Sequence, residues 1–397
     1  VKRILFVDDE PRVLQGLQRL LRPHRDEWEM AFVASGAEAL ALLDASPFDV
    51  IVTDMRMPGM DGAALLTSVR ERHPGTVRIV LTGHTELDNA LQAAAVAHQV
   101  LSKPCEPSAL VAAVERAVEV ERLLDDVALR EAVGGIDSLP SHPRVLAELN
   151  RLFMSGTSSS RDIARVVARD PAVSAKVLQL VNSSFFGLAR RVTDLEQAVT
   201  YLGIGVLHGL IVGAAALRTL EDVEMPPEYP FDAVRAHGAV TANLARAIAG
   251  PVEAPDAFVA ALLQDVGHLL LLRSLPHYVE VLDEHLQTGR ALHDVERQVL
   301  GFTHGEVGAY LLALWNLPHP VIDAVAHHHD ALDDRRALGV RETVALARRL
   351  VNESGTAPDP TDPAARVEPA WVASLASTEQ VDEWRRLAAT APTEPAA

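Results

Sequence analysis

From Val1 to about Val120, short β-branched runs alternate with amphipathic stretches. The runs are Ile4–Val7, Met30–Ala34, Val50–Thr53, Val77–Leu81 and Val100–Leu101, and a helical period follows each except the last. This alternation predicts an α/β domain over residues 1–120: a parallel five-stranded sheet, doubly wound, with helices on both faces. Ser35-Gly36-Ala37-Glu38 reads as a capping box, and Glu106-Pro107 places a proline at the first turn of a further helix. No breaker stops that helix before Gly134-Gly135. Leu110, Val114, Ala117, Leu124 and Ala128 keep a three–four spacing that only Glu121 interrupts, which predicts a connecting helix over 121–133 along which a second copy could pair as a homodimer.

Beyond Gly135 the two-residue alternation ends, and the chain reads as all-α over 134–352. Pro143–Phe153 is amphipathic, Asp170-Pro171 is an N-cap followed by an N1 proline, and Asp194 caps another helix. Further helices are predicted near 233–249, 255–272, 279–287, 304–314, 321–329 and 343–352. Ala198–Leu217 carries no charge but holds four glycines, and reads as a buried helix pair broken at Gly203 rather than a membrane span. After Glu353 the sequence turns rich in Pro, Ala and Thr. A mobile tail is expected over 353–397, with one short helix around 381–389.

Charge narrows the classes of function. Among 397 residues, 36 Lys and Arg face 54 Asp and Glu, giving −18, which opposes binding to nucleic acid or anionic membrane through bulk electrostatics. Residues 134–250 are nonetheless neutral, and carry Arg161, Arg165 and Arg169 at four-residue spacing with Arg190-Arg191 beyond them. These read as a solvated face or an anion- or partner-binding strip. Cys105 is the single cysteine, so neither an intramolecular disulfide nor a cysteine zinc cluster can form. That fits a reducing compartment, and the opening strand pattern without a leader leads to a cytoplasmic expectation.

In a parallel α/β sheet, functional groups gather where loops leave the carboxyl ends of strands. Here Asp8, Asp9 and Glu10 follow the first strand, Asp54 ends the third, Thr82 the fourth, and Lys103-Pro104 the fifth. Converging carboxylates need a cation, and oxygen donors suit magnesium. A carboxylate facing both a metal and a lysine is a candidate nucleophile toward phosphorus. On Asp8-Asp9, the run Asp54-Met55-Arg56-Met57-Pro58-Gly59-Met60-Asp61-Gly62, Leu81-Thr82 and Lys103-Pro104, the first 120 residues resemble a two-component receiver domain. The resemblance implies that Asp54 accepts phosphate from a histidine kinase or phosphotransfer protein. It implies magnesium held by Asp8, Asp9, Asp54 and the backbone carbonyl of Arg56, phosphoryl contacts from Thr82 and Lys103, and a cis Lys103-Pro104 bond. Receivers commonly carry an aromatic residue three positions before the lysine; here it is Val100. Arg56 and His84 occupy positions expected to tune phosphoryl lifetime.

Ten of the 16 histidines lie from His237 onward, including His327-His328-His329. Histidine clustered with aspartate raises a metal site. The surrounding sequence, above all Asn182-Ser183-Ser184-Phe185-Phe186-Gly187 with Asp170-Pro171 before it, resembles the HDOD output domain. That family is related in fold to HD-type metal phosphohydrolases, including HD-GYP cyclic dinucleotide phosphodiesterases. Carried over, the HD-site positions are His237, Gln264, Asp265, His304, His328, His329 and Arg348. Gln264 stands where the signature histidine belongs, His268 where a lysine is expected, and Arg348 where the last aspartate is expected. An amide is a weak ligand and a guanidinium repels a cation, so the site reads as degenerate, with no metal expected in the HDOD domain and no catalytic residue there. Asp265 and His237 are expected to persist as a buried pair.

These readings converge on a response regulator whose noncatalytic HDOD domain acts on an unnamed protein partner, without nucleic acid or membrane. The alternative is a receiver-regulated metal phosphohydrolase acting on a cyclic dinucleotide.

Overall fold

The computed structural model describes residues 2–83, 96–103, 105, 107–120, 133, 143–155, 158–183, 186, 188, 190–213, 229–275, 277–330, 338–367 and 376–391. His84, Pro104, Phe185 and all of the connecting helix except Val133 lie outside them. The chain divides into two compact units. One comprises Val1–Ser138 with Gln179–Arg191 and Ala313–Asn316; the other comprises Leu139–Leu178, Val192–Leu312 and Leu317–Ala397.

In the first unit, β1 (Lys2–Val7), β2 (Trp28–Val33), β3 (Val50–Asp54), β4 (Val77–Gly83) and β5 (Gln99–Lys103) pair in parallel in the order β2-β1-β3-β4-β5. The five sequence runs each lie within or overlap one of these strands. Among the described residues, helices α1 (Pro11–Leu20), α2 (Gly36–Ala45), α3 (Gly62–Arg72) and α4 (Pro107–Val120) accompany it. The central strands read as unbroken apolar runs because both faces are covered: Ile4, Leu5, Val50, Ile51, Ile79 and Val80 are fully buried. Ser35 caps α2 as expected, accepting from the Glu38 amide at 3.3 Å. Glu38 returns its bond to Ala34 N, one residue before the cap.

The strand order sets up the pocket. The chain leaves β1 toward β2 and returns on the other side of β1 as β3, so a crevice opens beyond the carboxyl ends of β1 and β3. Asp8 directly follows β1 and Asp54 ends β3. Thr82 pairs with Ser102, and Gly83 with Lys103, on the neighbouring strands.

The second unit is helical. Among the described residues its helices, with α7 running on to Val181 and α14 to Leu314, are α5 (Pro143–Ser155), α6 (Ser160–Val167), α7 (Pro171–Val181), α8 (Leu195–Gly213), α9 (Phe231–Ile248), α10 (Ala254–Leu263), α11 (Val266–Ser274), α12 (Tyr278–Thr288), α13 (Leu292–Val299), α14 (His304–Leu314), α15 (His319–His327), α16 (Val340–Ser354) and α17 (Thr378–Thr390). The predicted caps are present: Asp170 accepts from Ala172 and Val173, and Asp194 from Gln197. The break at Gly203 is present too, with φ +73° inside α8. The stretch Ala254–Ser274 is apolar enough to cross a membrane, but most of it is buried within the protein.

Three features differ from the sequence expectations. Residues 255–272 are not one helix; the chain turns at Gln264-Asp265, between α10 and α11. Helix α13 has no counterpart among the predicted helices, because it is mostly polar and only Leu292, Val295 and Glu296 are buried.

The third correction concerns the expected mobile tail. Asp359, Thr361 and Asp362 are buried, and the Asn352 side chain pins this stretch: its amide donates to the Asp362 and Ala365 carbonyls, and its oxygen accepts from Asp359 N. Helix α17 packs on α16 through Val381, Trp384 and Ala388. Composition misled here because two buried aspartates look like surface residues when their partner is far away in sequence. Replacing Trp384 by Ala should destabilise the second unit by about 3–5 kcal/mol, read by chemical denaturation, and should expose the chain after residue 353 to limited proteolysis.

Candidate functional site

In the first unit, Lys103 Nζ lies 2.8 Å from Asp8 Oδ2 and 2.6 Å from Asp54 Oδ1. Burial alone would lower the lysine pKa. Hydrogen bonds to Asp54 and Asp8, with their charges, outweigh it and hold the ammonium above its ordinary value. Asp8 is buried, and its other oxygen accepts from Glu10 N at 2.9 Å. Asp54 Oδ2 accepts from Arg56 N at 3.2 Å, which fixes the Arg56 backbone beside the carboxylate while the residue itself is exposed. Asp9 is half-buried, and Thr82 is buried at the end of β4.

The chain after Asp54 is held by close packing. Gly62 N donates to Met55 O at 2.8 Å, and a Cβ at Gly62 would sit 2.2 Å from Asp54 O. A side chain there would push on the backbone of the acidic residue itself. Asp61 caps α3 through Ala64 N. Val100 is buried in the sheet core, so no aromatic side chain occupies that position to move between core and surface.

The donor set fits magnesium. Two carboxylates, Asp8 and Asp54, meet one lysine, the side-chain donors are hard oxygens, and the neighbouring Asp9 is partly exposed.

In the second unit the residues divide differently from the sequence expectation. Asp265, His304, His328 and His329 converge, their ligand atoms all within 4.8 Å of one another. The turn between α10 and α11 carries Asp265, the first residue of α14 is His304, and His328-His329 follow α15. Gly267 makes the approach of α11 to α14 feasible, since a Cβ there would lie 1.9 Å from His304 O. Gln264 sits beside them, donating to Asp265 Oδ2 at 3.2 Å.

His237 does not join Asp265. Its Nδ1 lies 2.8 Å from Ala357 O and its Nε2 3.7 Å from Asp359 Oδ2. The expected His237–Asp265 pair is therefore replaced by a partner from beyond residue 353. Arg348 is fully buried and bridges two carboxylates, with Nη2 2.6 Å from Asp359 and 3.0 Å from Asp362. The positive charge read from sequence as hostile to a cation is thus matched by two negative ones.

Sequence reasoning missed Asp359, Asp362 and Glu296. Glu296 is fully buried; its Oε2 lies 2.7 Å from His304 Nδ1, and Tyr278 donates to its Oε1. No spacing motif marks these residues. The one available signal was that a buried arginine requires carboxylates from somewhere.

Burial dominates the electrostatics. It pushes His304 and His329 well below the ordinary histidine value, helped by His328 and Arg348 respectively. Burial and the charge of His304 push His268 down to about 3. Burial also works against the Asp359 charge, but Arg348, His237 and bonds from Thr361 overcome it and hold that carboxyl far below the usual range. The arginine strip is not free: Arg161 pairs with Glu196, Arg165 with Asp162, and Arg169 with Glu148.

A parallel α/β sheet with acidic groups and a lysine at its carboxyl edge, followed by a helical unit with a buried His/Asp cluster, fits the receiver-plus-output class. Residues 4–115 match the response regulator receiver domain and residues 139–331 the HDOD domain, so the chain is a receiver domain followed by an HDOD domain. An uncharacterized protein of Treponema pallidum is 28% identical over 197 residues, covering 49% of this chain and 38% of that one. The hydrogenase transcriptional regulatory protein HoxA of Cupriavidus necator is 40% identical over 126 residues, 31% of this chain and 26% of that protein. The chain thus spans well under half of these curated relatives. The MmoQ response regulator of Methylococcus capsulatus has a similar fold, with TM-score 0.50 and 21% identity over 62% of this chain and 98% of that one.

Asp359→Asn should lower stability by about 3 kcal/mol in chemical denaturation, because it removes one partner of a buried charge. A depressed carboxyl pKa contributes stability above the unfolded value of 3.8, lost as pH falls through the folded value. The deficit should therefore stay constant between about pH 5 and pH 8 and shrink only in stronger acid.

Proposed function

We propose that this response regulator works by phosphorylation of Asp54 in the receiver, which changes how the HDOD domain binds a protein partner in the cytoplasm. The observation that carries the reading is Lys103 bridging Asp8 and Asp54 at 2.8 and 2.6 Å. Asp54 Oδ attacks the phosphorus of a phosphohistidine on a histidine kinase or phosphotransfer protein, and the P–N bond breaks. Asp8, Asp9, Asp54 and the Arg56 carbonyl would hold magnesium, which would supply positive charge to the carboxylates and the transferring oxygens. Lys103 exchanges its contact with Asp54 for one with a phosphoryl oxygen, and Thr82 donates to another. The driving force is the difference in phosphoryl contacts between two receiver conformations.

For the HDOD domain, Gln264 in place of a ligand and Arg348 bound to Asp359 and Asp362 favour binding over hydrolysis. A receiver-regulated phosphohydrolase is the second reading, favoured by the convergence of Asp265, His304, His328 and His329. Turnover of cyclic di-GMP by the full chain would establish it.

With acetyl phosphate and magnesium, the full chain should gain one phosphoryl group, seen as a shifted band in phosphate-affinity gels. Asp54→Ala and chelation of magnesium should each abolish the shift. A phosphorylated Asp54→Ala protein would disprove the assignment.

A further inference from the structure

We propose that the cavity between β5, α4, the last residues of α7 and the turn after α14 is a binding site for a small hydroxylated organic anion. All of its lining residues belong to the first unit. Its volume is about 230 Å³. That exceeds the roughly 150 Å³ that holds a benzene ring and falls short of a drug-sized pocket, so it suits a molecule of about a dozen non-hydrogen atoms. Short side chains leave the space: Ala109 and Ala112 line it from α4, and Val100 from β5.

Charge selects the class of ligand. Arg116 brings a guanidinium to the cavity from α4, and among the described residues no Asp or Glu lines it. Arg191 stands close by: burial, and after it the charge of Arg116, lowers its pKa to about 10. Two guanidinium groups beside a cavity without an acid make its field positive, which disfavours a cation and favours an anion.

Hydrogen-bonding groups supply the rest. Gln99 opens β5; it is buried, and neither its amide nitrogen nor its oxygen has a hydrogen-bond partner. Gln179 Nε2 donates to the His98 carbonyl at 3.2 Å, which fixes the orientation of the amide because a carbonyl only accepts, and its buried Oε1 has no partner. Asn316 Oδ1 accepts from Arg191 Nη2 at 2.6 Å, which leaves the Asn316 NH2 to donate. Ser183 Oγ donates to the Leu180 carbonyl at 2.6 Å, so only its lone pairs remain. Arg116, Asn316 and the Gln99 nitrogen are thus donors for an acid group. Gln179, Ser183 and the Gln99 oxygen are acceptors for hydroxyl protons, where an ammonium would call for a carboxylate. A hydroxylated anion presents both sets. A buried amide with both ends unbonded destabilises the empty protein, and a ligand that completes those bonds gives a reason for its presence.

The test titrates the full chain by calorimetry with gluconate and with glycerol phosphate, and with glycerol as the uncharged control. At least one anion should bind, one per chain, and glycerol should not; the tighter of the two tells whether the acid group is a carboxylate or a phosphate. Arg116→Met should weaken binding about 10-fold or more, since bonds to a charged group are lost. Ala112→Leu, which fills the cavity from α4, should abolish it. Gln99→Leu should weaken binding yet raise the Tm of the empty chain, because it removes a buried amide without partners. The inference is overturned if neither anion binds at millimolar concentration, if glycerol binds as tightly, or if Arg116→Met and Gln99→Leu keep the affinity of the unmodified chain. Should Ala112→Leu fail to fold, the other two variants still decide.

Discussion

Arg348 is a full positive charge with no exposure to water, and it lies between Asp359 and Asp362 at 2.6 and 3.0 Å. Removing such a group from water costs several kcal/mol unless its charge and hydrogen bonds are matched. Both carboxylates come from beyond α16, on a stretch with few apolar residues of its own. The requirement of one arginine thus orders that stretch. The same stretch supplies the Ala357 carbonyl and Asp359 to His237, so it sets the surroundings of that histidine.

The receiver unit obeys the same rule at a smaller scale. Lys103 joins carboxylates from β1 and β3, which parallel pairing has already brought side by side. The sheet order does most of the positioning, and close packing at Gly62 fixes the backbone of Asp54. A lysine serving two aspartates is preorganised for an added anion: a phosphoryl group on Asp54, as proposed, would bring new negative charge to a cation already aimed at it. The missing aromatic at Val100 means that any outward signal from Thr82 must travel by another route.

Within the helical unit, a residue's identity proved a poor guide to its role. Gln264 and Arg348 break the ligand pattern of an HD-type site, yet four other members still meet at one point, and Glu296 from the unanticipated α13 supports them. The converging groups and Arg348 sit on or beside different helices, so their arrangements do not share one element. The turn at Gln264-Asp265 and the tight crossing at Gly267 keep Asp265 against His304 whatever happens at Arg348.

The sequence alone determined the receiver. Its strands, caps and four polar loop ends were legible because local periodicity sets a parallel sheet, and the sheet then brings strand ends together by necessity. It also determined the caps at Asp170 and Asp194 and the break at Gly203, all of which rest on contacts within a few residues. Only the tertiary structure decided the histidine cluster and the fate of residues 353–367. Those depend on partners such as His237–Asp359 and Arg348–Asp362, set by helix packing, and a helical period does not reveal which buried charge will meet which.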